Sequence, residues 1–598
     1  MRSTQDNSRR GRNPSPEASY DEASRRRRMR SLRRGGPDFD SNAKFLMVFV
    51  AVLAAIVAGK LVYLQVFEAS NLSKQAEAMR TNTVTIQAKR GTIYDRNGNV
   101  LAMSQDCTTI YCNPNEVQAG SIEEAAKILA EDTGGDESDF LSILTQDTTF
   151  AYLKRKVDNS VADQVKEDLA KANISGVYYL SDVRRVYPYG SVGSQVLGIV
   201  GTDGDGLTGL ELYYNDILKG TDGEMIFETG SGGTPIAGET AQTKDAKDGT
   251  DIVISLDIDI QKVAEETITQ GVKDYSADSG SVMVTDPTTG EILAACSTPM
   301  FDVTDTSTIE DGATSLKLVS SSFEPGSIFK LLTMAIGIDN GLITPDSTFD
   351  VPAKVQVGSD WVGDDDNRSY EMNMSVREIL RRSSNAGTAL VAQQVIGADT
   401  FASGIEKFGI GSKTGIDFPG EVAGIVKTRE HYDNASLGAM SFGQSLAIPL
   451  VQMVKAVDSI ADDGTLTTPH FLVKKGGETV EWKSAGTSVS KETADQVTDM
   501  MRTVVQEGTA TAAQVDGYDV AGKTGTGEQA GETGSYIENS YVSSLIGFAN
   551  ADDPKVLVYV GLNGTPYLAT SSAAPLFSTI MSAALSDLGV EPTSGTSS

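Results

Sequence analysis

The stretch 321-SSFEPGSIFKLL-332 places a serine and a lysine three residues apart, directly after a Glu-Pro-Gly turn. Pro325 and Gly326 end an irregular segment, and the residues after Ser327 combine helix-forming types with apolar periodicity. We therefore predict that Ser327 lies at the start of a helix. Side chains three positions apart share one helix face, so Lys330 could reach the Ser327 hydroxyl.

A serine hydroxyl becomes a good nucleophile when a neighbouring base removes its proton. A lysine can be that base if burial lowers its pKa from the usual value of about 10.4. The free N–H groups of a helix N-terminus would also favour negative charge on a reacting carbonyl oxygen. An isolated Ser-x-x-Lys more often marks a capping serine beside a solvated lysine, so the hypothesis depends on partners elsewhere in the chain.

Two segments downstream supply such partners. The stretch 381-RRSSNAGTALVAQQV-395 places Ser383 and Asn385 at the head of a predicted helix. There Ser383 could relay a proton and Asn385 could donate a hydrogen bond to a peptide carbonyl, although both residue types suit ordinary N-capping equally well. The stretch 518-YDVAGKTGTGEQ-529 is predicted to form a strand at the edge of a cleft.

Ammonium and hydroxyl groups on that strand suit a substrate carboxylate. Lys523, Thr524 and Thr526 would bind it, and the backbone N–H groups of Thr526 and Ser327 could form an oxyanion hole. The Lys-Thr-Gly tripeptide also occurs around Lys413, in a stretch punctuated by Gly and Pro with no strand partner nearby. We therefore interpret Lys413 as a loop residue and exclude it from the site.

The amino-acid composition argues against several classes of enzyme and of binding partner. The chain has 598 residues but only two histidines and three cysteines. So few imidazoles argue against a zinc enzyme and against a Ser-His-Asp hydrolase, and three cysteines are too few for a disulfide framework. The formal net charge of −31 argues against nucleic acid as a partner, because its phosphates would be repelled.

A predominantly apolar span, residues 45–67, follows an arginine-rich tail. A helix rising about 1.5 Å per residue crosses a hydrocarbon core of about 30 Å in about 20 residues, so this span predicts a transmembrane anchor. The tail, residues 1–44, is expected to be disordered and cytoplasmic, with the rest of the chain extracytoplasmic. A cleaved signal peptide is the alternative, but the leader is long and no small-x-small cleavage site follows the span.

The remaining chain is predicted to divide near residue 250. Residues 68–250 mix short strands, helical pieces and glycine turns without a nucleophile that has a visible partner, which favours a pedestal or docking role. Residues 251–590 begin and end with strands and have helices between them. This order predicts an α+β fold in which the two ends form one antiparallel sheet, with helices on both faces. The last residues, 591–598, are expected to be disordered.

Ser-x-x-Lys, Ser-x-Asn and Lys-Thr-Gly in this order resemble the motifs of the penicillin-recognising serine enzymes. The chain after residue 45 resembles the class B penicillin-binding proteins, the membrane-anchored monofunctional transpeptidases of bacterial peptidoglycan. The resemblance includes RGTIYDRNGNVLA (90–102), GLTGLELYYNDILKGTDG (206–223) and FEPGSIFK (323–330). FAYLKRKV (150–157), together with the form of FEPGSIFK, resembles the division-specific branch.

The resemblance implies a transpeptidase domain, an elongated mixed α/β pedestal of the dimerisation type and one transmembrane helix. It also implies peptidoglycan D,D-transpeptidase activity, in which Ser327 attacks the penultimate D-alanine carbonyl of a stem pentapeptide and an amine of a neighbouring stem peptide resolves the acyl-enzyme. The residues it implies are catalytic Ser327, Lys330 and Ser383 and substrate-binding Asn385, Lys523, Thr524, Gly525 and Thr526.

The partners implied are donor and acceptor stem pentapeptides, β-lactams that acylate the serine, a SEDS-type glycan polymerase and other division proteins. The resemblance implies a bacterial plasma membrane and neither a cofactor nor a metal. Two alternatives are a β-lactamase or D,D-carboxypeptidase, which would hydrolyse its acyl-enzyme, and a catalytically inert division scaffold. The large pedestal and the retained anchor argue against the first, and the full motif set argues against the second. The acidic segment 354–370 has no predicted role.

Overall fold

The computed structural model describes residues 39–73, 81–229, 235–530 and 536–593. The chain forms two compact units, one of residues up to 83 with 226–241 and one of 84–225 with 242 onward. The predicted N-terminal tail up to residue 38, and residues 594–598 of the predicted C-terminal tail, lie outside the described residues.

Strands and helices are numbered in chain order. The strands are β1 Thr81–Ile86, β2 Ile93–Tyr94, β3 Val100–Cys112, β4 Ala151–Val157, β5 Val177–Val186, β6 Gly223–Thr229, β7 Pro235–Lys244, β8 Ile252–Ile254, β9 Ser279–Thr285, β10 Ile292–Ser297, β11 Ser322–Phe323, β12 Thr348–Val351, β13 Lys354–Val357, β14 Asp360–Gly363, β15 Met372–Ser375, β16 Ile448–Pro449, β17 Thr465–Leu466, β18 Leu472–Lys475, β19 Glu478–Thr479, β20 Gly486–Thr487, β21 Val520–Ala530, β22 Tyr536–Ala549 and β23 Val556–Thr565. The α-helices are α1 Phe39–Val62, α2 Ile122–Thr133, α3 Glu137–Leu144, α4 Asn159–Lys171, α5 Ser194–Leu197, α6 Gly209–Tyr213, α7 Asn215–Leu218, α8 Ile258–Asp274, α9 Lys317–Ser320, α10 Lys330–Asp339, α11 Val376–Arg381, α12 Asn385–Val391, α13 Ala398–Lys407, α14 Ser436–Ser441, α15 Leu450–Ala461, α16 Lys491–Glu507 and α17 Ala573–Asp587.

The first unit contains α1, which begins ahead of the predicted apolar span and continues into a π-helical turn, Tyr63–Phe67. The segment Ala43–Phe67 is long and apolar enough to cross a membrane, and none of its most apolar part is buried. Exposed apolar side chains along its length suit contact with lipid better than contact with water.

The predicted antiparallel sheet of residues 251–590 is present. It has the order β10-β9-β23-β22-β21, with every neighbouring pair antiparallel. Strands β9 and β10, near the start of this region, join its last three strands through the pairing of β9 with β23, which confirms the prediction of one sheet built from both ends. The first strand of the region, β8, pairs in a different sheet. Helices α8 and α17 contact each other, and they pack against β10 and β23 respectively. The cover explains why β10 is buried at every position.

The helical segment between β10 and β21 carries distant residues to the edge strand of this sheet. The 3₁₀ turn Gly326–Phe329 and α16 both contact β21, and α10 packs on α16. The start of α10 and the middle of β21 therefore lie side by side, although almost two hundred residues separate them in sequence.

The second unit also contains a seven-stranded sheet, which takes strands from residues on both sides of the predicted boundary near 250. The order is β19-β18-β8-β2-β3-β4, and β5 also pairs with β3. Strands β18 and β19 come from residues 472–479, so a sheet built mostly from residues before 255 is completed by a much later segment. A second core, under β3, β4 and β5, is closed by α2, α3 and α4. The division of the chain near residue 250 stays a prediction, because the sheet spans that point.

Candidate active site

Ser327 lies in the 3₁₀ turn Gly326–Phe329, which leads directly into α10 at Lys330. Its exposed fraction is 5%, and Lys330 is fully buried. The turn is pinned by a hydrogen bond of 3.0 Å from the Gly326 backbone nitrogen to the Gly443 carbonyl. A Cβ at Gly443 would lie only 2.1 Å from the Gly326 carbonyl oxygen, so this close approach of the two loops requires glycine.

The Lys330 side chain reaches across to the Ser-x-Asn segment. Its ammonium nitrogen donates to the Ser383 carbonyl at 2.5 Å and to Asn385 Oδ1 at 2.6 Å, and it lies 3.3 Å from Ser383 Oγ. The sequence predicted that Lys330 could reach the Ser327 hydroxyl, but no hydrogen bond between the two is found. A buried ammonium needs acceptors, and the three oxygens across the cleft supply them.

Lys523, which lies on the sheet, contacts the hydroxyl of Ser383. It is fully buried on the edge strand β21, and its ammonium nitrogen lies 2.9 Å from Ser383 Oγ and 2.8 Å from the Thr524 carbonyl. A Cβ at Gly525 would lie 2.3 Å from Ser544 Oγ and 3.0 Å from Ile328 Cγ2. The glycine of Lys-Thr-Gly therefore lets the strand lie close against the Ser327 turn.

The Ser383 hydroxyl is thus held between two buried ammonium groups. Its backbone is left-handed, with φ of 58°, which is uncommon for a residue other than glycine. A strained backbone conformation of this kind is kept only where the surrounding structure holds it in place, and it is frequent at functional sites. The next residue, Ser384, is the N-cap of α12 and accepts from the Gly387 backbone nitrogen at 2.9 Å. Capping is therefore done by Ser384, while Ser383 and Asn385 contact the lysines.

Burial sets the protonation of both lysines. It lowers the pKa of Lys330 to about 8, and the negative charges of Asp365 and Asp364 partly oppose this effect. Burial also holds the pKa of Lys523 well below its usual value, and repulsion from Lys330 lowers it further. A lysine with a pKa near neutral pH can exchange a proton during a reaction.

The second Lys-Thr-Gly copy lies elsewhere. Lys413 is exposed in the loop after α13, whereas Lys523 is buried beside Ser383. The Thr414 hydroxyl donates to Glu421 Oε1 at 2.6 Å, so this second copy stabilises the loop in which it lies.

With this geometry established, comparison with known proteins identifies the family. Residues 280–582 match the family described as the penicillin-binding protein transpeptidase domain, and residues 85–254 match the penicillin-binding protein dimerisation domain. The chain belongs to the class B penicillin-binding proteins. This penicillin-binding protein is 31% identical to the probable peptidoglycan D,D-transpeptidase PenA of Neisseria meningitidis, over 92% of this chain and 93% of the relative.

Solved structures of other proteins are similar to this penicillin-binding protein. That of a putative peptidoglycan glycosyltransferase from Atopobium parvulum is 42% identical, with a TM-score of 0.68, over 86% of this chain and 100% of that one. That of penicillin-binding protein 3 of Mycobacterium tuberculosis, in complex with aztreonam, is 27% identical, with a TM-score of 0.66, over 85% of this chain and 98% of that one.

The acidic segment 354–370 of this penicillin-binding protein contacts the Ser-x-Asn segment through Asp364. Strands β13 and β14 form a hairpin, and Asp364 follows it. Asp364 accepts from the Ser384 hydroxyl at 2.8 Å and from the Ala386 backbone nitrogen at 3.0 Å, so it holds the start of α12. Arg368 pairs with it at 3.1 Å, and both side chains are nearly fully buried.

Sequence reasoning missed this support. The run of three aspartates at 364–366 gave no signal that one of them would contact the Ser-x-Asn segment, because exposed acidic runs are common. Thr509 was also missed. Its hydroxyl lies 2.6 Å from that of Thr524, and it follows α16 with no motif around it.

Proposed function

We propose that this protein is a peptidoglycan D,D-transpeptidase that works through an acyl-enzyme on Ser327. One observation carries the proposal. The Ser383 hydroxyl lies between the ammonium nitrogens of Lys330 and Lys523, beside the turn that holds Ser327. This arrangement offers a nucleophile, a base and a proton relay without any imidazole.

In the acylation step, neutral Lys330 would accept the Ser327 proton, directly or through the Ser383 hydroxyl. The lowered pKa of Lys330, about 8, supports this role because it leaves a neutral fraction at physiological pH. Ser327 Oγ would attack the penultimate D-alanine carbonyl, and the backbone N–H groups of Ser327 and Thr526 would stabilise the oxyanion. The relayed proton would then pass to the departing terminal D-alanine.

Substrate binding would use Asn385 and the edge strand β21. The oxygen of the Asn385 amide is engaged by Lys330, which leaves its NH₂ group to donate to a peptide carbonyl. A β-lactam would occupy the same place, because its ring amide imitates the donor peptide bond and its carboxylate imitates the peptide terminus. The residues proposed to hold the terminal carboxylate are Lys523, Thr524, Gly525 and Thr526.

Two other activities are less well supported. The site is built for acyl transfer to a hydroxyl, which favours transpeptidation over the glycosyl transfer named for the Atopobium relative. Hydrolysis of the acyl-enzyme, as in a β-lactamase, would use the same motifs. The 31% identity to a relative named as a D,D-transpeptidase favours cross-linking.

Fluorescent penicillin tests the proposal. Wild-type protein should form a covalent adduct that survives denaturing electrophoresis and lasts for hours, and Ser327→Ala should form none. Ser142→Ala, which removes an exposed serine on α3, is the matched control and should label like wild type. Labelling of Ser327→Ala would refute the assignment of the nucleophile, and an adduct lost within seconds would favour a β-lactamase.

We also propose where and with which proteins the enzyme acts. The arginine-rich tail before the apolar span supports an N-terminus in the cytoplasm and a catalytic domain outside the plasma membrane. The resemblance to the division-specific branch supports a role in septal wall synthesis with a SEDS-type polymerase. Depletion should then give filamentous cells, and rounded cells would contradict the septal assignment.

A further inference from the structure

A cavity of about 520 Å³ opens next to the Ser327 turn. Gly326 lines one wall, and Gly527, just beyond the Lys-Thr-Gly-Thr sequence, lines another. None of the residues assigned above to catalysis or to the donor peptide lines this cavity. It is therefore a second space, separate from the donor site, that borders the turn carrying the nucleophile.

Two opposite charges line the cavity, on Glu324 and Lys317. Glu324 Oε1 accepts from the Ser445 backbone nitrogen at 2.8 Å, and the Lys317 ammonium donates to the Thr298 carbonyl at 2.6 Å. Among the residues that the structure describes, neither side chain has an ion-pair partner, and the second Glu324 oxygen accepts no hydrogen bond. A partly buried charge is stabilised when a ligand supplies a counter-charge.

The Glu324 carboxylate is held in place by the same loop that fixes the nucleophile turn. Ser445 has a left-handed backbone, with φ of 59°, and it directs its N–H to Glu324. Two residues earlier, the Gly443 carbonyl accepts from Gly326. The loop 443–445 therefore fixes the carboxylate relative to the nucleophile. Burial raises the pKa of this carboxyl group, so its charged form would gain from a cationic ligand.

We infer that this cavity binds the acceptor substrate, a peptide that carries a free amine and a carboxylate, with Glu324 holding its ammonium and Lys317 its carboxylate. The inference rests on the proposed transpeptidase function. It assigns the second substrate to a place distinct from the donor site on β21.

The chemistry of the second step balances with these groups. The acceptor ammonium gives one proton to the Glu324 carboxylate, and the neutral amine attacks the acyl carbon. The new C–N bond forms, the ester bond to Ser327 Oγ breaks, and the second nitrogen-bound proton passes to Ser327 through Lys330. Glu324 then loses its proton to solvent, and the serine hydroxyl is restored.

The test measures how the acyl-enzyme divides between aminolysis and hydrolysis. Full-length protein in detergent is acylated with a thioester analogue of the donor peptide. A lysine-containing stem tetrapeptide, or its C-terminal carboxamide, is then titrated as acceptor. In Glu324→Gln the amide oxygen can still accept from Ser445 but the charge is lost. The half-saturating acceptor concentration should rise about tenfold for both acceptors, as expected for losing a hydrogen bond to a charged group.

Lys317→Met independently tests the binding of the acceptor carboxylate. It should raise the half-saturating concentration of the acceptor that has a carboxylate but not that of the carboxamide. Glu310→Gln, which changes an exposed glutamate away from the cavity, should behave like wild type. If Glu324→Gln fails to bind penicillin because it does not fold, Lys317→Met alone decides the inference.

The outcomes distinguish failure of the proposed function from failure of the acceptor inference. A wild-type protein that is acylated neither by the thioester nor by penicillin would overturn the proposed function and this inference together. Normal acylation with unchanged acceptor dependence in both variants would overturn the inference alone. An equal loss for peptide and carboxamide in Lys317→Met would refute the role of Lys317 in binding the carboxylate.

Discussion

Replacing Asp364 by asparagine should weaken the fold locally and shift the pH dependence of acylation. The carboxylate joins the Ser384 hydroxyl, the Ala386 nitrogen and Arg368, with the arginine at 3.1 Å. Asparagine keeps one accepting oxygen but leaves the buried guanidinium without its counter-charge. We expect a loss of about 1.5–3 kcal/mol, the range for hydrogen bonds to a charged group. The melting temperature should therefore fall by several degrees.

The pH effect follows from the same charge. Asp364 and Asp365 both raise the pKa of Lys330 against the lowering effect of burial. Removing either charge should lower the pKa of Lys330 further below about 8, so acylation should reach its maximal rate at a lower pH. Asp365→Asn is the matched control, because Asp365 is exposed and shares the charge effect without holding α12.

The assay combines thermal unfolding with the rate of fluorescent penicillin acylation between pH 6 and pH 9.5. Asp364→Asn should be less stable and shifted in pH. Asp365→Asn should be shifted alone, and Asp366→Asn, whose side chain pairs with Arg382 at the surface, should change neither property. A stable Asp364→Asn protein with an unshifted profile would refute both the structural role and the electrostatic role.

Three further predictions concern the cleft. In wild type, acylation should be slow below pH 7 and should increase through pH 8 as Lys330 loses its proton, since its pKa is about 8; a flat rate profile would exclude lysine as the base. Lys523→Met should reduce acylation by at least about tenfold, the effect of losing a charged hydrogen bond, whereas Lys413→Met should match wild type in the same assay. Gly525→Ala should lower both stability and acylation, because its methyl group would meet Ser544 Oγ at 2.3 Å; a fully active variant would show that the strand can move away.

Much of the catalytic region could be predicted from sequence because its signals are local. Apolar strands at 281–298 and 541–564, and the Pro-Gly turn before Ser327, fixed the sheet and the start of α10. The long-range step, bringing Lys523 and Ser383 together, could not be derived from any spacing. The prediction that they meet followed from the order of the three motifs. The roles of these residues stay predictions until the variants are measured.

The features that escaped sequence analysis depend on tertiary contacts. Asp364 acquires its role only because the β13–β14 hairpin delivers it to the head of α12, and an acidic run carries no such information. Glu324 was visible in the quoted stretch, but its partner Ser445 lies more than a hundred residues away. The contact of Lys330 with Asn385, rather than with Ser327, likewise depends on how the cleft is assembled.

The sheet shared by early and late strands has a consequence for biogenesis. Strand β8 pairs with β18, so the N-terminal part of the chain emerges from the ribosome with an unpaired strand edge. That edge stays open until residues 472–479 have been synthesised, and an open edge can pair with other chains. Folding of this sheet is therefore coupled to synthesis of the catalytic region, and a nascent chain that stalls before β18 would be a good substrate for chaperones and proteases.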